Sequence, residues 1–178
     1  MKTNNSDDGQ EIELLKRIKC PSNVIDHAVA VKLKAMDVVS SLAEDAAIGV
    51  DVELVRRGAL LHDIGRSITH RLDHAVEGAR LARELGLDEA LIGIIERHIG
   101  SGITKDEAAS LGLPAMDYLP ATREEKIVSY ADSLTNHTTH LTFEDAFERL
   151  SRLLGKDHAA LGRFRAMHEE ILSWMRRN

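Results

Sequence analysis

Cysteine occurs once, at Cys20, so no disulfide can form within the chain, and a thiolate-rich metal site is excluded with it. Proline occurs three times in 178 residues and aromatics make up 3%, which argues against a turn-rich β-sandwich and against an aromatic platform for stacking bases. Positive charge is not in excess: 23 Lys and Arg face 29 Asp and Glu, a formal charge of -6. A broad basic footprint for duplex nucleic acid is therefore not expected, although a local cationic pocket for a small phosphorylated ligand remains compatible with that balance. No run reaches eighteen apolar residues; the best segment, 54–64, is broken by Arg56, Arg57, His62 and Asp63, so no membrane span is expected. The opening MKTNNSDDGQ has no apolar stretch of the kind a signal peptide needs, and with a single cysteine the simplest address is the cytoplasm.

What remains is an ordinary globular balance, 43% apolar and 29% charged, in a length that suits one domain. Residues 1–10 are polar and read as a frayed tail, with a single domain over 11–178. Ile12, Leu14, Leu15 and Ile18 recur at helical spacing up to the break at Cys20-Pro21. Apolar residues from Val24 to Leu42 predict a long helix to about residue 47, and Asp51 caps another to about residue 64, ended by Gly65. Helices follow over 75–85 and 88–100, each closed by a glycine. Thr104 with Glu107 and Thr122 with Glu125 match the capping box, which predicts a short helix near 105–111 and a longer one over 123–139. Thr142 and Asp157 cap two final amphipathic helices, with Trp174 as the largest apolar anchor of the last. The expectation is an all-α bundle of about eight helices.

Histidine is the residue in surplus, with nine copies. His27, the pair His62-Asp63, His74, His98 and Asp132 all fall on otherwise apolar helix faces. Taken singly, each histidine is explained by a backbone carbonyl partner. Taken together, six such groups on five segments carry an unfavourable burial cost that a shared divalent cation removes. A mixed nitrogen and oxygen donor set suits Fe, Mn, Ni, Zn or Mg, and points to a catalytic rather than a structural centre. His137 and His140 trail a polar stretch and are expected to face solvent, and His158 and His168 carry no supporting partners.

The order His27, His62-Asp63, Asp132, with HDIG at 62–65, resembles the signature of the HD-domain metal-dependent phosphohydrolases. The segments HDIGRSITHRLDH, HIGSGITKDEA and EEKIVSYADSL are most similar to small archaeal-type HDIG proteins. The resemblance implies an HD-domain helical bundle. It implies that His27, His62, Asp63 and Asp132 hold one metal, and that Asp63 bridges to a second held by His74 and His98, as in the two-metal branch of the family. That branch includes HD-GYP cyclic-dinucleotide phosphodiesterases and a diadenosine-tetraphosphate hydrolase; the GYP tripeptide is absent here. The implied reaction is hydrolysis of a phosphoester in a nucleotide, or in a cyclic or dinucleotide phosphodiester, by metal-activated water. Asp63 and Arg66 are the implied catalytic pair, with Arg66 also on substrate phosphate and Lys105 a second substrate contact; His70 and Arg71 are weaker candidates on a neighbouring loop. The same resemblance admits two other readings, a di-iron oxygenase of this fold and a non-catalytic nucleotide-binding regulatory module.

Overall fold

A computed structural model describes residues 8–47 and 49–175. Ten α-helices run through these residues: α1 Gly9–Arg17, α2 Ser22–Ser40, α3 Glu44–Ala47, α4 Val52–Leu61, α5 His74–Glu84, α6 Glu89–Arg97, α7 Lys105–Ser110, α8 Arg123–Ser133, α9 Phe143–Leu154 and α10 Ala159–Trp174. A 3-10 turn, Ile64–Ser67, follows α4, and a two-stranded antiparallel hairpin, β1 Thr135–Asn136 and β2 Thr139–His140, follows α8. The expected all-α bundle is present, with two helices more than expected. The expected tail over residues 1–7 lies outside the described residues, and α1 starts at Gly9, two residues inside the stretch read as tail.

Local chemistry sets most of the helix starts. Both capping boxes form: the Thr104 and Thr122 hydroxyls accept from the backbone N–H of Glu107 and Glu125, whose carboxylates reach back to the caps. Asp51 accepts from Leu54 N at 2.9 Å and Thr142 from Asp145 N at 3.1 Å. At α10 the cap is His158, which accepts from Ala160 N at 3.2 Å, rather than the expected Asp157. Four helix ends differ from expectation, the helix predicted over 88–100 stopping at Arg97 with His98 just beyond it. The long helix predicted to residue 47 stops at Ser40, because Leu42 bridges Met175 and Ala43 N donates to Trp174 O at 2.9 Å, a contact between distant parts of the chain. The helix predicted to residue 64 stops at Leu61, which leaves His62 and Asp63 in the turn beyond it. The helix predicted to residue 139 stops at Ser133, and the Thr-rich stretch that follows takes up the hairpin, turning at His137 with φ 54°.

Helix α2 packs against both α4 and α8, and α5 lies on α6 and on the 3-10 turn. One apolar core joins α2, α4 and α8 to Phe164, Met167 and Ile171 of α10; a second joins Leu15, Cys20, Val24, Leu61 and Ile64 to α5 and α6. Arg56 and Arg57 of α4 fasten α1 through Asp8 and Glu11. Among the described residues no helix is long and apolar enough to cross a membrane. The second core closes tightly where the 3-10 turn meets α5: a Cβ on Gly65 would stand 1.9 Å from His74 O and 2.6 Å from Gly78 N. Only glycine permits that approach, and it brings Asp63 beside the start of α5.

Candidate metal centre

The six residues proposed as ligands come from five elements and meet in one place. His27 projects from α2; His62 and Asp63 follow the last residue of α4; His74 opens α5; His98 follows α6; Asp132 is the penultimate residue of α8. Five of the six therefore sit at or beside helix ends, where the backbone turns and side chains from several helices can converge. His62, Asp63, His74 and His98 are buried, and His27 and Asp132 partly so.

Hydrogen bonding fixes the orientation of every ring. His27 Nδ1 donates to His137 O at 2.7 Å, His62 Nδ1 to Ala59 O at 2.8 Å, His74 Nδ1 to Arg71 O at 2.7 Å and His98 Nδ1 to Ile95 O at 2.7 Å. A carbonyl oxygen only accepts, so each Nδ1 carries a proton, and in the neutral ring each Nε2 is left with its lone pair. All four Nε2 atoms point inward. His27 Nε2 lies 3.0 Å from Asp132 Oδ1; His74 Nε2 and His98 Nε2 lie 3.1 and 3.4 Å from Asp63 Oδ1; His62 Nε2 lies 3.6 Å from Asp132 Oδ1 and 3.9 Å from Asp63 Oδ2. His74 Nε2 and His98 Nε2 are 3.1 Å apart, and His62 Nε2 is buried with no hydrogen-bond partner.

With the four rings neutral, this is a convergence of acceptors that only an added cation or proton can satisfy. Two lone pairs 3.1 Å apart repel unless a cation or a proton sits between, and a buried imidazole nitrogen without a partner costs about 1–3 kcal/mol. A divalent cation relieves both, and the carbonyl-locked Nδ1–H is the outer hydrogen bond that metal-binding histidines make. The electrostatics agree. Burial alone would raise the Asp63 carboxyl, but His62, His74 and His98 hold it far below the usual carboxylate range. Burial acts on Asp132 in the same direction, and His27 and His62 outweigh it to keep that carboxyl low as well. Burial pulls His62 down, yet Asp63 and Asp132 push it up to about 9, so the centre of the cluster favours positive charge. For His98 burial prevails over the nearby Asp63 and lowers it.

Three donor groupings have their ligand atoms within 4.8 Å of one another: His27, His62 and Asp63; His62, His98 and Asp132; and Asp63, His74 and His98. Asp63 belongs to the first and the last, the position a bridging carboxylate would occupy. Arg66 lies on the 3-10 turn, where its Nε donates to Asp63 Oδ1 at 3.2 Å and its Nη1 to His70 O at 3.0 Å.

The cluster opens into a cleft of about 950 Å³ that presents His27, Asp63, Asp132, Arg66 and His70. Lys105 is not among its lining; it is exposed at the start of α7, and its backbone N–H donates to Asp117 at 2.8 Å. The side chains of Arg149 and Leu153 on α9 and of Arg163 on α10 line the cleft instead. Sequence reasoning passed over these residues, and the one signal available was the amphipathic run from Phe143 to Leu154. His137 was expected to face solvent: its ring is exposed at the cleft, while its carbonyl orients His27. His140, also exposed, bonds Ala30 O at 2.9 Å. His168, expected to lack partners, bonds the Tyr130 hydroxyl at 2.6 Å and stacks on Phe143 with ring centroids 3.7 Å apart.

A family model described as HD domain matches residues 24–137, which include five of the elements just described and all six convergent residues. The chain is 48% identical over 160 residues to an uncharacterised protein of Methanocaldococcus jannaschii, covering 90% of this chain and 94% of that one. It is 37% identical over 167 residues to a tRNA (cytidine(56)-2'-O)-methyltransferase of Picrophilus torridus, and 32% identical over 155 residues to ribonuclease Y of Thermosipho melanesiensis. These matches cover 94% and 84% of this chain but 47% and 26% of those proteins, so the chain spans about half of the one and a quarter of the other. Among solved structures, the HD domain of the Listeria monocytogenes phosphodiesterase PgpH, in complex with cyclic-di-AMP, superposes with a TM-score of 0.53 at 19% identity, covering 93% of this chain and 99% of that one.

Proposed function

The chain belongs to the HD-domain family, and from that premise we propose that it is a divalent-metal-dependent phosphohydrolase acting on a nucleotide phosphoester or on a cyclic or dinucleotide phosphodiester. The observation that carries this reading is the inward convergence of four Nε2 atoms and two ionised carboxylates, each ring locked from behind by a backbone carbonyl. His27, His62, Asp63 and Asp132 hold one metal; Asp63, His74 and His98 hold a second. The bound metal pair supplies a Lewis acid for the phosphoryl group and a nucleophile from water at neutral pH.

The chain's own residues do the remaining work. Asp63 stays ionised because three imidazoles surround it, with Oδ1 toward His74 and His98 and Oδ2 toward His62. Arg66, held by Asp63 and by His70 O, keeps part of its planar fork at the cleft surface for a phosphate oxygen. The net reaction breaks one P–O bond: water oxygen joins phosphorus, and the leaving oxygen takes a proton. Support for a nucleotide substrate comes from a relative named as a ribonuclease and from a structural neighbour that binds a cyclic dinucleotide.

The test is release of phosphate or nucleoside products from a nucleotide and dinucleotide panel, with protein reloaded with Mn, Fe, Ni, Zn or Mg and with Asp63→Ala alongside. Metal-dependent turnover that Asp63→Ala loses by at least a hundredfold is the expected result. Metal bound without turnover on any member contradicts it, and oxygen uptake by the iron-loaded protein would put an oxygenase in its place.

A further inference from the structure

Helix α9 lies beyond the segment that the family model matches, yet it forms one wall of the cleft. Three cleft-lining arginines differ in what neutralises them. Arg66 pairs with Asp63, and Arg163 pairs with Glu107 at 2.8 Å. Arg149 has a single long bond, Nη2 to Ser133 O at 3.3 Å, and no carboxylate among the described residues pairs with it. Ser133 directly follows Asp132, and Arg149 lines the same cleft as His27, Asp63 and Asp132. One turn further along α9, Leu153 lines the same cleft at 77% exposure, and Leu111 at the end of α7 lines it at 54%. Large side chains left this open, next to a free cation and continuous with a candidate reaction centre, describe a surface waiting for a ligand that is anionic at one point and apolar at the next. The cleft volume also exceeds what one phosphate needs, being near the top of the roughly 300–1,000 Å³ range of small-molecule sites.

We propose that α9 forms a second substrate subsite, in which Arg149 binds a phosphate other than the one at the metal cluster and Leu153 with Leu111 covers a base. The preferred substrate is then a short nucleotide with at least two phosphates. This rests on the hydrolase reading for what happens at the cluster, but the subsite itself is a matter of binding.

The experiment measures equilibrium binding to the Mn-loaded full chain, with a phosphorothioate-bridged pApA, AMP and inorganic phosphate as probes. Wild type is expected to bind the pApA analogue at least tenfold more tightly than AMP. In Arg149→Ala that preference collapses to within about twofold while inorganic phosphate binds as before, and Leu153→Ser weakens both nucleotides. Both positions are exposed, so the variants are expected to fold, and circular dichroism checks it. An Arg149→Ala preference equal to wild type overturns the subsite and leaves the hydrolase reading standing. Arg149-dependent binding without turnover on any metal overturns the hydrolase reading and keeps the subsite. If sedimentation shows a wild-type dimer that Leu153→Asp makes monomeric, and pApA binding is unchanged, the wall is a contact between copies and the proposal fails.

Discussion

Replacing Gly65 by alanine tests whether the close approach of the 3-10 turn to α5 is what assembles the metal centre. The added Cβ would stand 1.9 Å from His74 O, 2.6 Å from Gly78 N and 2.9 Å from Gly78 Cα, all of them backbone atoms that cannot swing aside. The turn has to retreat from α5 by about an ångström, and Asp63 precedes it by one residue while His74 is the residue it would retreat from. Overpacking costs about 1–3 kcal/mol, and a clash with backbone belongs at the upper end, so about 3 kcal/mol is expected. At roughly 2–4 °C per kcal/mol for a chain of this size, Tm falls by about 6–12 °C. The Asp63–His74 distance of 3.1 Å opens at the same time, and metal affinity is expected to fall about 10–100-fold, as when an outer contact of a metal ligand is lost. Gly162→Ala is the control: it lies in α10 with open space around its Cα, and should raise stability by about 0.5–1 kcal/mol. Calorimetry with chelator present and manganese titration of both variants decide the matter. A Gly65→Ala protein with Tm within 2 °C of wild type and unchanged manganese affinity would refute the reasoning.

Other outcomes follow from the same contacts. Glu125 is buried, accepts from Ala121 N and Thr122 N and pairs with Arg97 at 2.6 Å, so Glu125→Ala should cost about 3 kcal/mol, read by urea denaturation, because it removes a buried partner and the cap of the helix that carries Asp132. Burial lowers the His168 imidazole below its ordinary 6.5 while its Nδ1 bonds the Tyr130 hydroxyl. The unfolded chain therefore takes up its proton first, and stability should decline as pH falls below about 6.5, a decline that His168→Phe reduces in Tm measured from pH 8 to 5. Chelation should lower Tm from the value at saturating manganese: at a hundred times Kd the metal contributes about 2.7 kcal/mol, or roughly 5–10 °C. His98→Ala should abolish most of that difference, and a chelator-insensitive wild type would contradict it.

How much of this was legible beforehand depended on how local the cause was. Capping boxes at Thr104 and Thr122 are local patterns, and they formed where the spacing predicted. The break after Ser40 is caused by the far end of the chain, where Trp174 O and Met175 meet Ala43 and Leu42, and no window around residue 40 contains that information. The hairpin was nearer to legible: Thr135, Thr138 and Thr139 are poor helix formers, but two strands of two residues are too short for alternation to register. For the candidate metal centre, the six residues that converge were readable from their type and order. Their relation was not: the carbonyls that lock His62, His74 and His98 lie three residues upstream, but the packing that brings these turns together is not local, and His27 is locked by His137, whose left-handed backbone aims its oxygen from across the fold. Lys105 and Arg149 show the same limit from opposite sides. A cation beside a motif in sequence faces outward, whereas one far along the chain on α9 lines the cleft.

The account turns on whether the inward-facing nitrogens and carboxylates hold metal, and anomalous diffraction from crystals of the manganese-loaded protein tests that directly. The expected map has density about 2.1 Å from the Nε2 atoms of His27, His62, His74 and His98 and in contact with Asp63 and Asp132. Anomalous density absent from the cluster, with the four rings bonded to water or to one another, would contradict it.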